Sequence, residues 1–200
     1  MRQNHEWLGL SMTRVTLRHV VSMPWRSHDS WSETFIGIHR LVYEILPQQG
    51  RPQDVRDAAL CQLAIVGANH LLEVSLFKLI RPSIGVDLGN LNISEAKFKK
   101  AGYYTAISEW VGAITGNDID LTSEPFLSTE RLRERRNATA HKSSAIATTE
   151  MARSGLIAAV NGTRAIHSHF GSDFPYEKYL LENPLANEPL FSQIKFPGEA

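Results

Sequence analysis

The chain is 200 residues long, with 42% apolar and 21% charged residues, the proportions of a globular domain and not of a disordered one. Lys plus Arg and Asp plus Glu both number 21, so no overall field draws in nucleic acid or an anionic membrane, and any anion site has to be local. Cys61 is the only cysteine, which excludes an intramolecular disulfide and a cysteine-built zinc site.

Residues 1–28 are expected to form an N-terminal arm. TRVTLRHVV alternates as a strand does, but no second strand of matching quality follows it. Arg14, Arg18 and His19 interrupt any signal-like apolar run. No stretch approaches the roughly eighteen apolar residues a membrane span needs, so the expected compartment is the cytoplasm. The sequons at Asn137 and Asn161 are then chance matches.

The period changes at residue 29. Trp31, Phe35, Ile38, Val42 and Ile45 share one helical face, with Ser30 or Asp29 as cap and Pro47 and Gly50 as stop. The longest periodic segment follows, from Arg51 to Pro82. Pro52 is tolerated in its first turn, and Asp54 and Asp57 complement the helix N-terminus. Val55, Ala59, Leu63, Val66, Val74 and Phe77 make its expected apolar stripe, with His70 and Glu73 near the edge. After a loop rich in Gly and Asn, a third helix is expected from a cap at Ser94 to Gly116. LTSEPFLSTERLRERRNATAH makes a fourth, with a break near Pro125, and AIATTEMARSGLIAAVNGTRAIHSHFG a fifth. The last segment carries four prolines among alternating apolar residues and reads as an extended arm that wraps or docks. The expected fold is all-α: an antiparallel bundle of four to five helices over residues 29–171, with arms at 1–28 and 172–200.

Chemistry concentrates in RERRNATAHKS, residues 133–143. Arg136 and His141 lie about 140° apart on an ideal helix, too splayed for one small ligand within a single chain. Asn137 and His141, four apart, stack on one face, so Asn137 is placed to orient the imidazole. A histidine suits proton transfer to or from a ribose 2′-hydroxyl, and a guanidinium suits the charge on a phosphorane. Together they suffice for RNA cleavage by internal transesterification without a metal. The plain alternative is a solvated arginine face with a histidine at a helix end.

RNATAH resembles the R-x4-H signature of the HEPN superfamily (higher eukaryotes and prokaryotes nucleotide-binding domains). Arg136, Asn137, Ala140 and His141 match the arginine, the polar residue after it, the small residue and the histidine of that motif. The resemblance implies a bundle of four or five helices and a metal-independent endoribonuclease of the toxin or phage-defence kind. It implies a homodimer whose two motifs face one cleft, which would supply the face that a single helix lacks. In that light Arg136 binds or polarises the scissile phosphate, His141 is general acid or base, and Asn137 orients. An acidic residue from the preceding long helix is expected to face the motif: Glu73 is the best match, Glu44 and Glu109 weaker ones. Arg133, Arg135 and Lys142 are the expected RNA-binding cations. No cofactor is implied.

The motif departs from some members at two places. Ser143 stands where they carry a tyrosine that an antitoxin adenylylates, so that mode of neutralisation is in doubt, and Lys142 replaces a glycine. A partner of the antitoxin or defence-system kind stays open. So does a second reading of the same motif, as a non-catalytic nucleotide-binding or protein-interaction module.

Other constellations are weaker. His70 and Glu73 resemble half of a carboxylate-bridged metal site, but there is no second Glu-x-x-His copy. His167 and His169 point to different sides of a helix. No phosphate-cradling glycine loop is present. Cys61 sits on an apolar helix and reads as core.

Overall fold

The computed structural model describes residues 29–47, 55–89, 91–141 and 147–196, and only the backbone of 55, 56 and 139–141. The N-terminal arm at 1–28 lies outside the described residues, as do Gly50, Pro52, Asp54, Lys142 and Ser143. What is described is all-α but for one small hairpin, Asp87–Leu88 (β1) against Leu91–Asn92 (β2), with Asp87 opposite Asn92.

Helix α1 spans Ser30–His39 and runs on through a π-helical turn, Arg40–Ile45. Asp29 is its cap, accepting from the amides of Trp31 and Ser32 at 2.7 and 3.3 Å. Trp31, Phe35, Ile38 and Val42 are buried. Ile45 is not: it is 43% exposed, and Leu46 takes the buried position instead. The wider π turn accounts for this, because it advances less per residue and so puts the fourth residue after Val42 back on the inner face.

Helix α2, Val55–Ile80, is the central element and packs on α1, on α5 (Phe126–His141) and on α6 (Thr149–His169). Its expected stripe is corrected. Ala59 and Leu63 are exposed, and Val66, Val74 and Phe77 are only half-buried. Cys61, Ala64, Ile65, Ala68, Leu71, Leu72, Leu76 and Ile80 are the residues inside. A helix gripped by three others is apolar nearly all round, so periodicity alone does not say which side is most enclosed. The same composition corrects a second expectation. Residues 57–83 are long and apolar enough to cross a membrane, with a mean hydropathy of 1.5 over the best window, though half of that window is buried among the other helices.

The expected third helix is two. Helix α3, Glu95–Lys100, is capped by Ser94, whose hydroxyl accepts from the Lys97 amide at 3.2 Å. The chain then turns extended at Ala101 and Gly102 before α4. Helix α4 comprises Tyr103–Thr105, a π-helical Ala106–Trp110 and Val111–Thr115, and ends at Gly116, whose φ of 79° a side chain would resist. Its π segment packs on α2, and Tyr103 and Tyr104 share a cavity with Glu73 and Phe77 in the last third of that helix.

Helix α5 begins just after Pro125. At Gly162, α6 passes close to both α5 and α2: a Cβ there would overlap the Thr129 methyl and come within 2.8 Å of Leu72 Cδ2. The C-terminal segment is not wholly extended. It forms α7, Glu177–Glu182, and sends Tyr176, Phe191 and Phe196 into the same core as the helices. Trp31 stacks on Tyr176 with ring centroids 4.0 Å apart, and Asp29 accepts from Tyr176 Oη at 2.6 Å and Lys78 Nζ at 2.9 Å. One carboxylate thus caps α1 and ties it to the C-terminal segment.

Candidate functional site

Helix α5 carries the RNATAH segment in its last turns, and its backbone is helical through His141. The side chain of His141 lies outside the described residues, as does Lys142. An unbroken helix from Arg136 to His141 keeps those two positions about 140° apart around the axis.

Arg136 is held from two sides. Its Nη1 donates to Asn137 Oδ1 at 3.0 Å, and its Nη2 lies 4.0 Å from Glu73 Oε1 on α2. The Arg136 side chain keeps 39% of its surface exposed, so an incoming anion can reach it. Glu73 is fixed in turn: Asn69, one helical turn earlier and buried, donates from Nδ2 to the same Oε1 at 2.8 Å. Asn69 Oδ1 has no hydrogen-bond partner among the described residues, so its amide group serves Glu73 alone.

Around these groups lies an open cavity of about 320 Å³, lined by Glu73, Arg136 and Asn137 together with Tyr103, Tyr104 and Arg133. Arg133 is drawn to Glu130, with Nε and Nη2 at 3.0 and 2.8 Å from the same carboxylate oxygen, and its guanidinium lies 5.0 Å from the Tyr104 ring centroid. Burial pushes the Tyr103 phenol well above its ordinary value, and the neighbouring Glu130 carboxylate adds to the rise, so it stays a neutral hydroxyl. A volume of this size is in the range of small-ligand sites. Two guanidiniums, one carboxylate, one amide and the exposed Tyr104 ring line it, while the Tyr103 hydroxyl is buried beneath, a set suited to a phosphate with an attached aromatic group.

The structure therefore brings Glu73, Arg136, Asn137 and Arg133 to one cavity. It does not bring Arg135, whose guanidinium lies 4.1 Å from the Phe196 ring centroid on another side of α5. Glu44 is away from the cavity as well, paired with Arg40 at 3.5 Å on the surface of α1's π turn. Glu109 lines a neighbouring cavity instead. His70 is exposed, and no cluster of His, Cys, Asp or Glu fit to hold a metal ion occurs among the described residues. His167 is buried, its Nδ1 3.0 Å from Ser172 Oγ, while His169 Nε2 meets the Asn117 carbonyl at 2.8 Å. Cys61 is fully buried, and burial raises its thiol, which suits core and not a nucleophile.

Asn69, Tyr103 and Tyr104 were not singled out from the sequence. Asn69 had a signal, its four-residue spacing to Glu73. The tyrosines had none, because their place in the site depends on how α4 packs on α2. Against protein-family models, curated proteins and solved structures, the chain finds no match.

Proposed function

We propose that this protein is a metal-independent endoribonuclease of the HEPN kind. The observation that carries the proposal is the convergence of Glu73, from the long helix, on Arg136 and Asn137 of the RNATAH helix, beside an open cavity. The 2′-hydroxyl attacks the adjacent phosphorus, the 2′-O–P bond forms and the P–O5′ bond breaks. The proton leaves the 2′-oxygen for a base, and the 5′-oxygen takes one as it departs. Arg136 meets the charge of the phosphorane with its planar fork. His141 serves as the proton-transfer group. Asn137 and Glu73 hold the guanidinium in place, and Arg133 adds a cation at the rim.

In this reading the long packed helices form an antiparallel bundle of four to five, and the protein acts in the cytoplasm as a toxin or defence effector, open to control by an antitoxin or defence-system partner. It works as a homodimer: Arg136 and His141 are splayed on their helix, and a second copy supplies the opposite face. Incubating the purified chain with mixed RNA, wild type beside His141→Ala, tests the activity. Mixing Arg136→Ala with His141→Ala chains tests the shared cleft, since partial recovery of cleavage requires each copy to supply what the other lacks. If wild type and His141→Ala leave RNA equally intact, the enzyme reading is wrong.

A further inference from the structure

A second cavity, of about 460 Å³, adjoins the first and shares Ala101 and Gly102 with it. It is lined by Lys97 and Lys100 of α3, the Lys97 Nζ also donating to the Asn92 carbonyl at 3.0 Å, and by Trp110, 96% buried. Together the two cavities are lined by four cations, Lys97, Lys100, Arg133 and Arg136, against two carboxylates, Glu73 and Glu109, with Glu130 behind Arg133 as a third. In a chain of zero net charge the remaining positive excess is local. Tyr104 lines the first cavity beside these cations, 52% exposed despite its size, with the Arg133 guanidinium near its ring.

An exposed tyrosine lining a cavity rich in cations does little for the core. It offers what an unpaired nucleobase needs, a flat π-face beside a guanidinium, while neighbouring cations take the backbone. Glu130 holds Arg133 through two bonds to one oxygen, which keeps the guanidinium from leaving the ring. Resting on the ribonuclease reading, we infer that Tyr104 is the base-stacking residue of the site, and that Lys97 and Lys100 carry the backbone of the adjoining nucleotides through the second cavity. The ligand is single-stranded RNA. A paired base has its faces covered by its own stack and cannot lie on Tyr104.

The test separates binding from cleavage. The probe is a short single-stranded RNA carrying 2-aminopurine, titrated into the full-length His141→Ala chain, where fluorescence quenching reports stacking. Tyr104→Ala in that background should weaken binding by about tenfold and remove the quenching, while Tyr104→Phe restores both. Replacing Lys97 and Lys100 together by Ala should lower the slope of log affinity against log salt by about 1.4. A duplex of the same sequence should bind more weakly than the single strand. Equal binding by Tyr104→Ala and its parent, or equal binding of duplex and single strand, overturns the inference. If stacking on Tyr104 holds while the wild type leaves RNA intact, only the ribonuclease reading fails. If the wild type cleaves while Tyr104→Ala binds unchanged, only the stacking assignment fails.

Discussion

Arg136 Nη2 stands 4.0 Å from Glu73 Oε1, the oxygen that Asn69 already holds at 2.8 Å. A pair this long and this exposed adds little stability, so its value is positional. Glu73→Gln keeps the shape and removes the charge. Affinity for RNA should hold or rise, because a negative group near the phosphate is gone, while kcat falls by about tenfold or more. Asn69→Ala should move kcat the same way by less. A kcat for Glu73→Gln equal to wild type would reduce the pair to surface electrostatics.

Arg136→Lys tests the fork against the charge. Lysine keeps one positive charge but cannot donate to Asn137 and a phosphate in one plane. Cleavage should drop by about a hundredfold, with an unchanged thermal transition, since Arg136 is on the surface of the helix and not in the core. Near wild-type cleavage by the lysine variant would make the arginine an electrostatic background group.

The path from sequence to site was partly open. Asp29 as cap, the Trp31–Phe35–Ile38–Val42 face and the helix bearing Arg136 and Asn137 are written in local patterns, and local patterns are what a sequence shows. Ile45 was misplaced because a π turn changes the period without any proline or glycine to announce it. The inner face of α2 was misread because Leu63 and Leu72 look alike in sequence, while one is 64% exposed and the other fully buried. Glu73 could be proposed through the resemblance, but Tyr104 could not. It reaches Arg133 across 29 positions, just after a break at Gly102 and by way of a π turn, and nothing local encodes that. Arg135 looked equivalent to Arg133 in a run of arginines, yet two residues of helix turn it to the Phe196 side.

Gly162 is a tight point of the scaffold under the site. A methyl group there would press on Thr129 of α5 and Leu72 of α2 together. Gly162→Ala should cost about 1–3 kcal/mol in a denaturant titration and lower cleavage by shifting α5 against α2. Gly37→Ala is the control, since a Cβ there meets nothing within 4 Å. Equal stability of the two variants would show that the three helices pack with slack.

Stability should fall on the acid side. Burial depresses the His167 pKa below its ordinary 6.5, with Lys78 adding to the fall. A histidine lowered in the folded state contributes stability that is fully present above the unfolded value and is lost as pH falls below it. Burial pushes Asp29 up, but the bonds from Tyr176, Lys78 and Trp31 outweigh that and hold it below 3.8, so its contribution is lost only at lower pH. The melting temperature should therefore decline as pH drops from 7 towards 5, and again below 4. His167→Gln should flatten the first decline and leave the second. A first decline of unchanged size in that variant would place its origin elsewhere.

The chemistry itself is read most directly from the ends of the cleaved RNA. Purified protein is incubated with a labelled single-stranded RNA in excess chelator, and the products are tested for phosphatase sensitivity and 5′-end labelling. Attack by the 2′-hydroxyl, with Arg136 at the phosphate and His141 moving the proton, predicts undiminished cleavage, a 2′,3′-cyclic phosphate or 3′-phosphate on one fragment and a 5′-hydroxyl on the other. Cleavage abolished by the chelator, or fragments ending in 3′-hydroxyl and 5′-phosphate, would contradict it.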